Sequence, residues 1–223
     1  SGFGAAIHHT GAGAVTLSNL LVTDNAAGGF GGAVNNNASG AISIQTSTIS
    51  RNTTQGSSFG GGINNNWTGS ISIADSVVSE NTAGGWGGGV NNNWTGTIGI
   101  TGSELADNND DGTVAIALAT ITGNSAENGG GINNNDGGTV TVTSSSISAN
   151  TATGTLGGGG ILNNSLGTVT IAATTIGEND SLAGNGGGIH NNSGGTVAVA
   201  NSTISGNTAT ANTGVGDGGG SGG

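Results

Sequence analysis

The aliphatic residues of this chain fall into short alternating pairs that return at a nearly fixed distance. Val15 and Leu17, Ile42 and Ile44, Ile71 and Ile73, and Ile98 and Ile100 put branched side chains on one face of a strand, with Ser, Thr, Ala or Gly mostly on the other. Val114/Ile116, Val140/Val142, Val169/Ile171 and Val197/Val199 continue the series. Alternation of this kind predicts half-buried strands, and no stretch carries the 3.6-residue period of an amphipathic helix. Two signatures flank each pair. Before it comes a small-residue run, one aliphatic and then polar residues, as in FGGAVNNN from Phe30, FGGGINNN from Phe59 and NGGGIHNN from Asn185. After it comes aliphatic-x-x-Asn, which recurs from Val22/Asn25 to Ile204/Asn207 and includes Leu105/Asn108.

The anchoring aliphatics Ile7, Val34, Ile63, Val90, Ile132, Ile161 and Ile189 are 27, 29, 27, 42, 29 and 28 residues apart. A unit of about 28 residues with three short strands cannot bury an apolar face by itself, but stacked units can. The expected fold is therefore all-β, a right-handed parallel β-helix of about 7–8 coils of 27–29 residues. The coil interior would be filled by about four aliphatics, such as Ile63, Ile71, Ile73 and Val78. Residues 1–223 are expected to form one solenoid, with an irregular short coil or loop at about 101–116 and a Gly-rich end at 214–223. Asn108 and Asn124 are 16 residues apart, which suggests a coil whose Gly-Gly-x-aliphatic strand has been deleted.

The GGA[ILV] and aliphatic-x-x-Asn motifs, as in Phe30–Val34 and Ile49–Asn52, resemble the repeats of right-handed parallel β-helices in bacterial surface proteins. Autotransporter passengers, polymorphic outer-membrane proteins and related adhesins form that group. The resemblance implies the β-helix fold and an extracellular or cell-surface location. It leaves the activity open, because the same fold carries lyases, tailspikes and antifreeze surfaces.

Composition narrows the functions. One Lys+Arg against 12 Asp+Glu gives a net charge of -11, so nothing neutralises phosphates and nucleic acid is excluded as a partner. Apolar stretches of a few residues cannot span a bilayer, which takes about 20. Zero Cys removes disulfides and thiolate chemistry. Polysaccharide lyases and glycosidases need paired carboxylates or several bases, whereas Arg51 is the single Arg or Lys. The chain is therefore not expected to be an enzyme or to need a cofactor.

The remaining candidates are structural or adhesive. Asn35, Asn64, Asn91, Asn133, Asn163 and Asn191 are expected to stack as an amide ladder. Phe3, Phe30, Phe59 and Trp86 stand four positions before their anchors and form one expected column, with Trp67 and Trp94 a second. Such columns clip coils together or offer a carbohydrate or host surface an aromatic strip. Asp107, Asp110 and Asp111 stand in an acidic, Gly-terminated run like an incomplete calcium loop. The outward central residues Thr16, Ser43, Ser72, Gly99, Ala115, Thr141, Thr170 and Ala198 are small, but too irregular for the threonine array of an ice-binding face. Asn-x-Ser/Thr sites occur at about the rate random placement gives, so they do not indicate glycosylation.

The chain begins and ends in the same phase of the repeat and is expected to be uncapped. It would then be either a subunit that stacks head to tail on its own copies or an excised segment of a surface adhesin. The expected interface residues are Phe3, Ile7, His8, Ile204, Asn207 and Ser221, with His8 approaching His190 across the joint.

Overall fold

In a computed structural model the chain is a parallel β-solenoid of about seven turns with no helix. The structure describes residues 2–56, 58–83, 89–92, 95–102, 104–105, 108–110, 112–134 and 137–210. Three eight-stranded parallel sheets run its length. The first extends from Ile7–His9 to Ile189–Asn191, the second from Ala14–Ser18 to Thr196–Ala200, and the third from Leu21–Thr23 to Thr203–Ser205. Two-residue strands add a fourth contact line, Ala26–Ala27 on Thr53–Thr54 and then Ser125–Ala126 through to Thr208–Ala209.

Register follows the repeat. Ile7 pairs with Val34, Val34 with Ile63, and Ile63 with Val90, while Ile42, Ile71, Ile98 and Val114 align in the second sheet. Since side chains alternate faces along a strand, these columns all point at the axis. Each inward aliphatic described between the second and seventh rungs is at most 2% exposed, and together they form one continuous core. Full burial of one such side chain stabilises by about 1.5–3 kcal/mol, so adjacent coils hold each other.

The 42-residue interval is two coils. Asn108–Asp110 enters the first sheet, with Asn108 opposite Val90 and Asp110 opposite Asn134, dividing the interval into 18 and 24 residues. The expected deletion of a first-sheet strand is thus corrected: the strand is present, and the Gly-rich approach to it is what is missing. Asn108 accordingly occupies an anchor position, although Leu105-x-x-Asn108 has the same local pattern as Val78-x-x-Asn81.

Left-handed backbone also falls in columns. Asp24, Arg51, Glu80, Ala149 and Glu178 have φ between 54° and 59°, each just before the Asn of the aliphatic-x-x-Asn motif. None of the six expected ladder asparagines is left-handed, so these amides act through their side chains instead of through turn geometry. Non-Gly residues in this region cost roughly 1–2 kcal/mol apiece, which the neighbouring asparagine bonds offset.

Candidate functional site

Asparagine side chains form several ladders, each with its own direction. Immediately after the anchor, Asn64 donates through Nδ2 to Asn35 Oδ1 at 2.8 Å, and Asn91 donates to Asn64 at 2.7 Å. This ladder donates toward the previous coil. One residue later the direction reverses: Asn36 donates to Asn65, Asn65 to Asn92, Asn134 to Asn163 and Asn163 to Asn191, at 2.7–2.9 Å. Each amide in this second ladder also bonds the carbonyl four residues on, as Asn65 does with Gly69 at 2.9 Å, and so braces the bend between the first two sheets. The six residues expected in one column therefore divide between two. Leu162 stands opposite Asn133, which moves Asn163 and Asn191 into register with Asn134.

The aliphatic-x-x-Asn motif builds a third ladder. Asn52, Asn150 and Asn179 each donate to the next coil's asparagine at 2.8–2.9 Å and accept from the previous asparagine at its backbone N–H. The second amide proton reaches the aliphatic carbonyl of the coil before, as from Asn179 to Ile147 at 3.0 Å. Sequence reasoning missed a hydroxyl line at the next bend, where Ser47, Ser145 and Thr174 accept from the backbone of the previous coil. The signal was available in the Ser or Thr that recurs three residues after the second paired aliphatic: Ser47, Ser76, Ser145, Thr174 and Ser202.

Ladder direction accounts for four of the buried oxygens left without a partner, those of Asn36, Asn124, Asn133 and Asn134. The residue that should donate to Asn36 is His9, whose Nε2 is bonded to Gly13 O at 3.0 Å. Asn124 follows the coil whose motif asparagine, Asn108, has moved to the first sheet. Leu162, which has no polar group, stands where Asn133 needs a donor, and Asp110 stands in register where Asn134 needs one.

Phe3, Phe30 and Phe59 are stacked, with centroids 5.5 and 5.1 Å apart and interplanar angles of 21° and 16°. Phe3 also stacks on His8 at 6.0 Å. Stacked rings present edges to solvent, which suits clipping of the coils more than a sugar-binding face. Trp86 and Trp94 lie outside the described residues, and Trp67 is exposed with φ of 81°. Asp107, Asp111 and Ser221 also lie outside them, and for Asp110 only the strand is described. Among the described residues no three His, Cys, Asp or Glu side chains come together as a metal site. Asn52, Asn163 and Asn179 are fully buried and hydrogen-bonded, which excludes those three glycosylation sites.

Arg51 donates from Nε and Nη2 to both carboxylate oxygens of Asp24, at 2.9 and 2.8 Å. These hydrogen bonds hold the Asp24 carboxyl below its ordinary 3.8 and raise Arg51. A lowered carboxyl stabilises the fold above its unfolded value, and that contribution disappears as pH falls through the lower folded value. The pair is exposed and its effect small. Asp24→Asn is expected to lower the melting temperature slightly near neutral pH, and the difference from the parent is expected to shrink as pH falls through the lowered folded value of Asp24.

On the outer face of the second sheet, Thr97, Thr113, Thr139, Thr168 and Thr196 are consecutive partners.

Both end rungs leave axial side chains open. Ile7, Val15, Leu17 and Val22 are only partly buried at one end, as are Ile189 and Val197 at the other, where Val199 and Ile204 are 42% and 45% exposed. Fold and ladders together define the chain as an asparagine-laddered parallel β-solenoid. In comparisons with known proteins it matches no family model, no curated protein and no solved structure.

Proposed function

We propose that the chain is an extracellular structural protein whose copies add head to tail into a filament. The observation that carries this reading is the pair of open rungs. Axial aliphatics that are at most 2% exposed in the inner coils are partly exposed at both described ends, and both ends have the same three-sheet cross-section. Stacking one copy on another would bury them and pair the open strand edges. Ladder direction supports head-to-tail addition in particular. The third ladder runs forward at both ends, Asn25 donating to Asn52 and Asn179 to Asn207, so a head-to-tail joint keeps that direction across the contact, whereas joining two like ends would reverse it. A contact of this kind does not close on itself and gives a fibre.

The extracellular placement rests on the resemblance to surface β-helices. A second reading, that the chain is a passenger segment of a longer adhesin, makes the same faces internal joints of one chain. The threonine column favours ice binding as a minor alternative, for which thermal hysteresis is the readout.

Ile7→Asp places a charge in the apolar end contact while changing a side chain that the isolated rod leaves half-buried. The variant is expected to remain folded by circular dichroism and to sediment as a single rod at concentrations where the parent polymerises. Unchanged polymer from Ile7→Asp contradicts longitudinal stacking.

A further inference from the structure

We infer that the joint between stacked copies contains a histidine pair, with His8 of one copy donating to His190 of the copy before it, and that acid opens the joint. This rests on the head-to-tail reading above. The tautomer of each neutral ring follows from its hydrogen-bond partners.

The Oδ1 of Asn35 accepts from Asn64 at 2.8 Å. Its Nδ2 therefore faces His8, 3.0 Å from Nδ1. A ring nitrogen that accepts a hydrogen bond has no proton, so this contact puts the His8 proton on Nε2. At the other end, His190 Nδ1 lies 2.5 Å from Leu156 O. A carbonyl only accepts, so this nitrogen donates, and the Nε2 of neutral His190 is a bare acceptor. The two ends thus expose opposite hydrogen-bonding groups.

Direction and register agree with this pairing. From Asn91 back to Asn35 the first ladder donates toward the previous coil, and His8 extends it with Nε2–H as its remaining donor. Continuing the register of Ile7 on Val34 and of Ile161 on Ile189 puts Ile7 opposite Ile189, and His8 opposite His190, one strand spacing of about 4.8 Å away. The second ladder makes a parallel case. Asn191 spends one amide proton on Gly195 O at 2.8 Å and has another to send forward. The next rung there is His9, whose proton is used on Gly13 O, leaving Nδ1 as an acceptor.

The joint is sensitive to acid because each acceptor is a ring nitrogen. Protonation of His190 Nε2 removes the acceptor for His8, and protonation of His8 Nδ1 turns a donor against Asn35. With both rings charged, two cations also face each other across the joint. His8 stacks on Phe3 and meets Asn35, while His190 bonds Leu156 O and stands opposite Leu162 in the strand register. Among the described residues neither histidine has a carboxylate partner to offset the charge.

The test compares sedimentation velocity of the purified chain at about pH 8 and about pH 5.5, on either side of the ordinary imidazole range, with the double variant His8→Asn, His190→Asn. Asparagine is the residue the inner coils use at this position, so it supplies a donor and an acceptor that do not titrate. The expected result is that the parent loses at least tenfold in polymer mass on acidification, while the double variant keeps its polymer at both values. Parent polymer that is unchanged by acid overturns the histidine joint. So does equal loss from parent and double variant, which would assign the effect to the carboxylates. Absence of polymer from both proteins at about pH 8 instead defeats the stacking reading on which the joint depends. Nitrogen NMR of the isolated rod gives an independent check: a proton on His8 Nδ1, or a bare His190 Nδ1, contradicts the assignment.

Discussion

Asn150→Ala is expected to destabilise the solenoid by about 3–5 kcal/mol, more than most single truncations of a polar residue. Asn150 is fully buried and serves four partners. Its Oδ1 accepts from the backbone N–H of Asn124 at 3.1 Å and from the Asn124 amide, while its Nδ2 donates to Ile121 O at 3.1 Å and to Asn179 Oδ1 at 2.8 Å. Truncation leaves the Asn124 donors and the Ile121 carbonyl without that partner inside the coil, at about 1–3 kcal/mol for each group left unsatisfied. Asn150→Asp restores the acceptor but not the donors and adds a buried charge, so it should do no better. Chemical denaturation reads the effect, with Thr168→Ala on the exposed outer face as a control expected to stay within about 0.5 kcal/mol. A loss of less than about 1 kcal/mol for Asn150→Ala would mean that the ladders are a by-product of stacking and contribute little to it.

Gly159→Ala is the second large effect, expected to cost about 3 kcal/mol or more. An added Cβ there would lie 2.5 Å from the carbonyl oxygens of Asp180 and Gly187, both backbone atoms of the following coil. Those strands cannot withdraw without breaking the bonds from Gly159 N to Gly186 O and from Gly160 N to Gly187 O, at 3.0 and 2.9 Å. The Gly-Gly-Gly runs are therefore a corridor with no room for side chains, between the first sheet and the fourth contact line. Gly99→Ala provides the contrast, because nothing stands within 4 Å of its would-be Cβ and its φ is not left-handed. That substitution should be neutral or stabilise by up to about 1 kcal/mol. Thermal melts of the two variants should move apart, and equal melting temperatures would remove the steric account of the glycine runs.

The three apolar columns were legible in the sequence because alternation repeated at a constant spacing leaves few other ways to bury Ile42, Ile71 and Ile98. Asn108 was not, since Leu105-x-x-Asn108 is locally identical to the true third-ladder motif. The usable signal lay downstream: strand Thr113–Ala117 begins five residues after Asn108, close to the seven that separate Val90 from Thr97 and Ile132 from Thr139, and too soon for a full turn of coil. The division of the asparagines into ladders of opposite direction depends on which way each amide points, and a string of letters does not carry that. The histidine tautomers depend in turn on Asn64 holding Asn35, a relation across 29 residues.

Electron microscopy of the purified chain in negative stain, near neutral pH, tests the central claim most directly. Eight rungs at about 4.8 Å make a single rod core of roughly 35 Å. The account predicts unbranched rods several times that length, growing with protein concentration and reduced to single rods by Ile7→Asp. A uniform population of single short rods at every concentration would contradict end-to-end assembly.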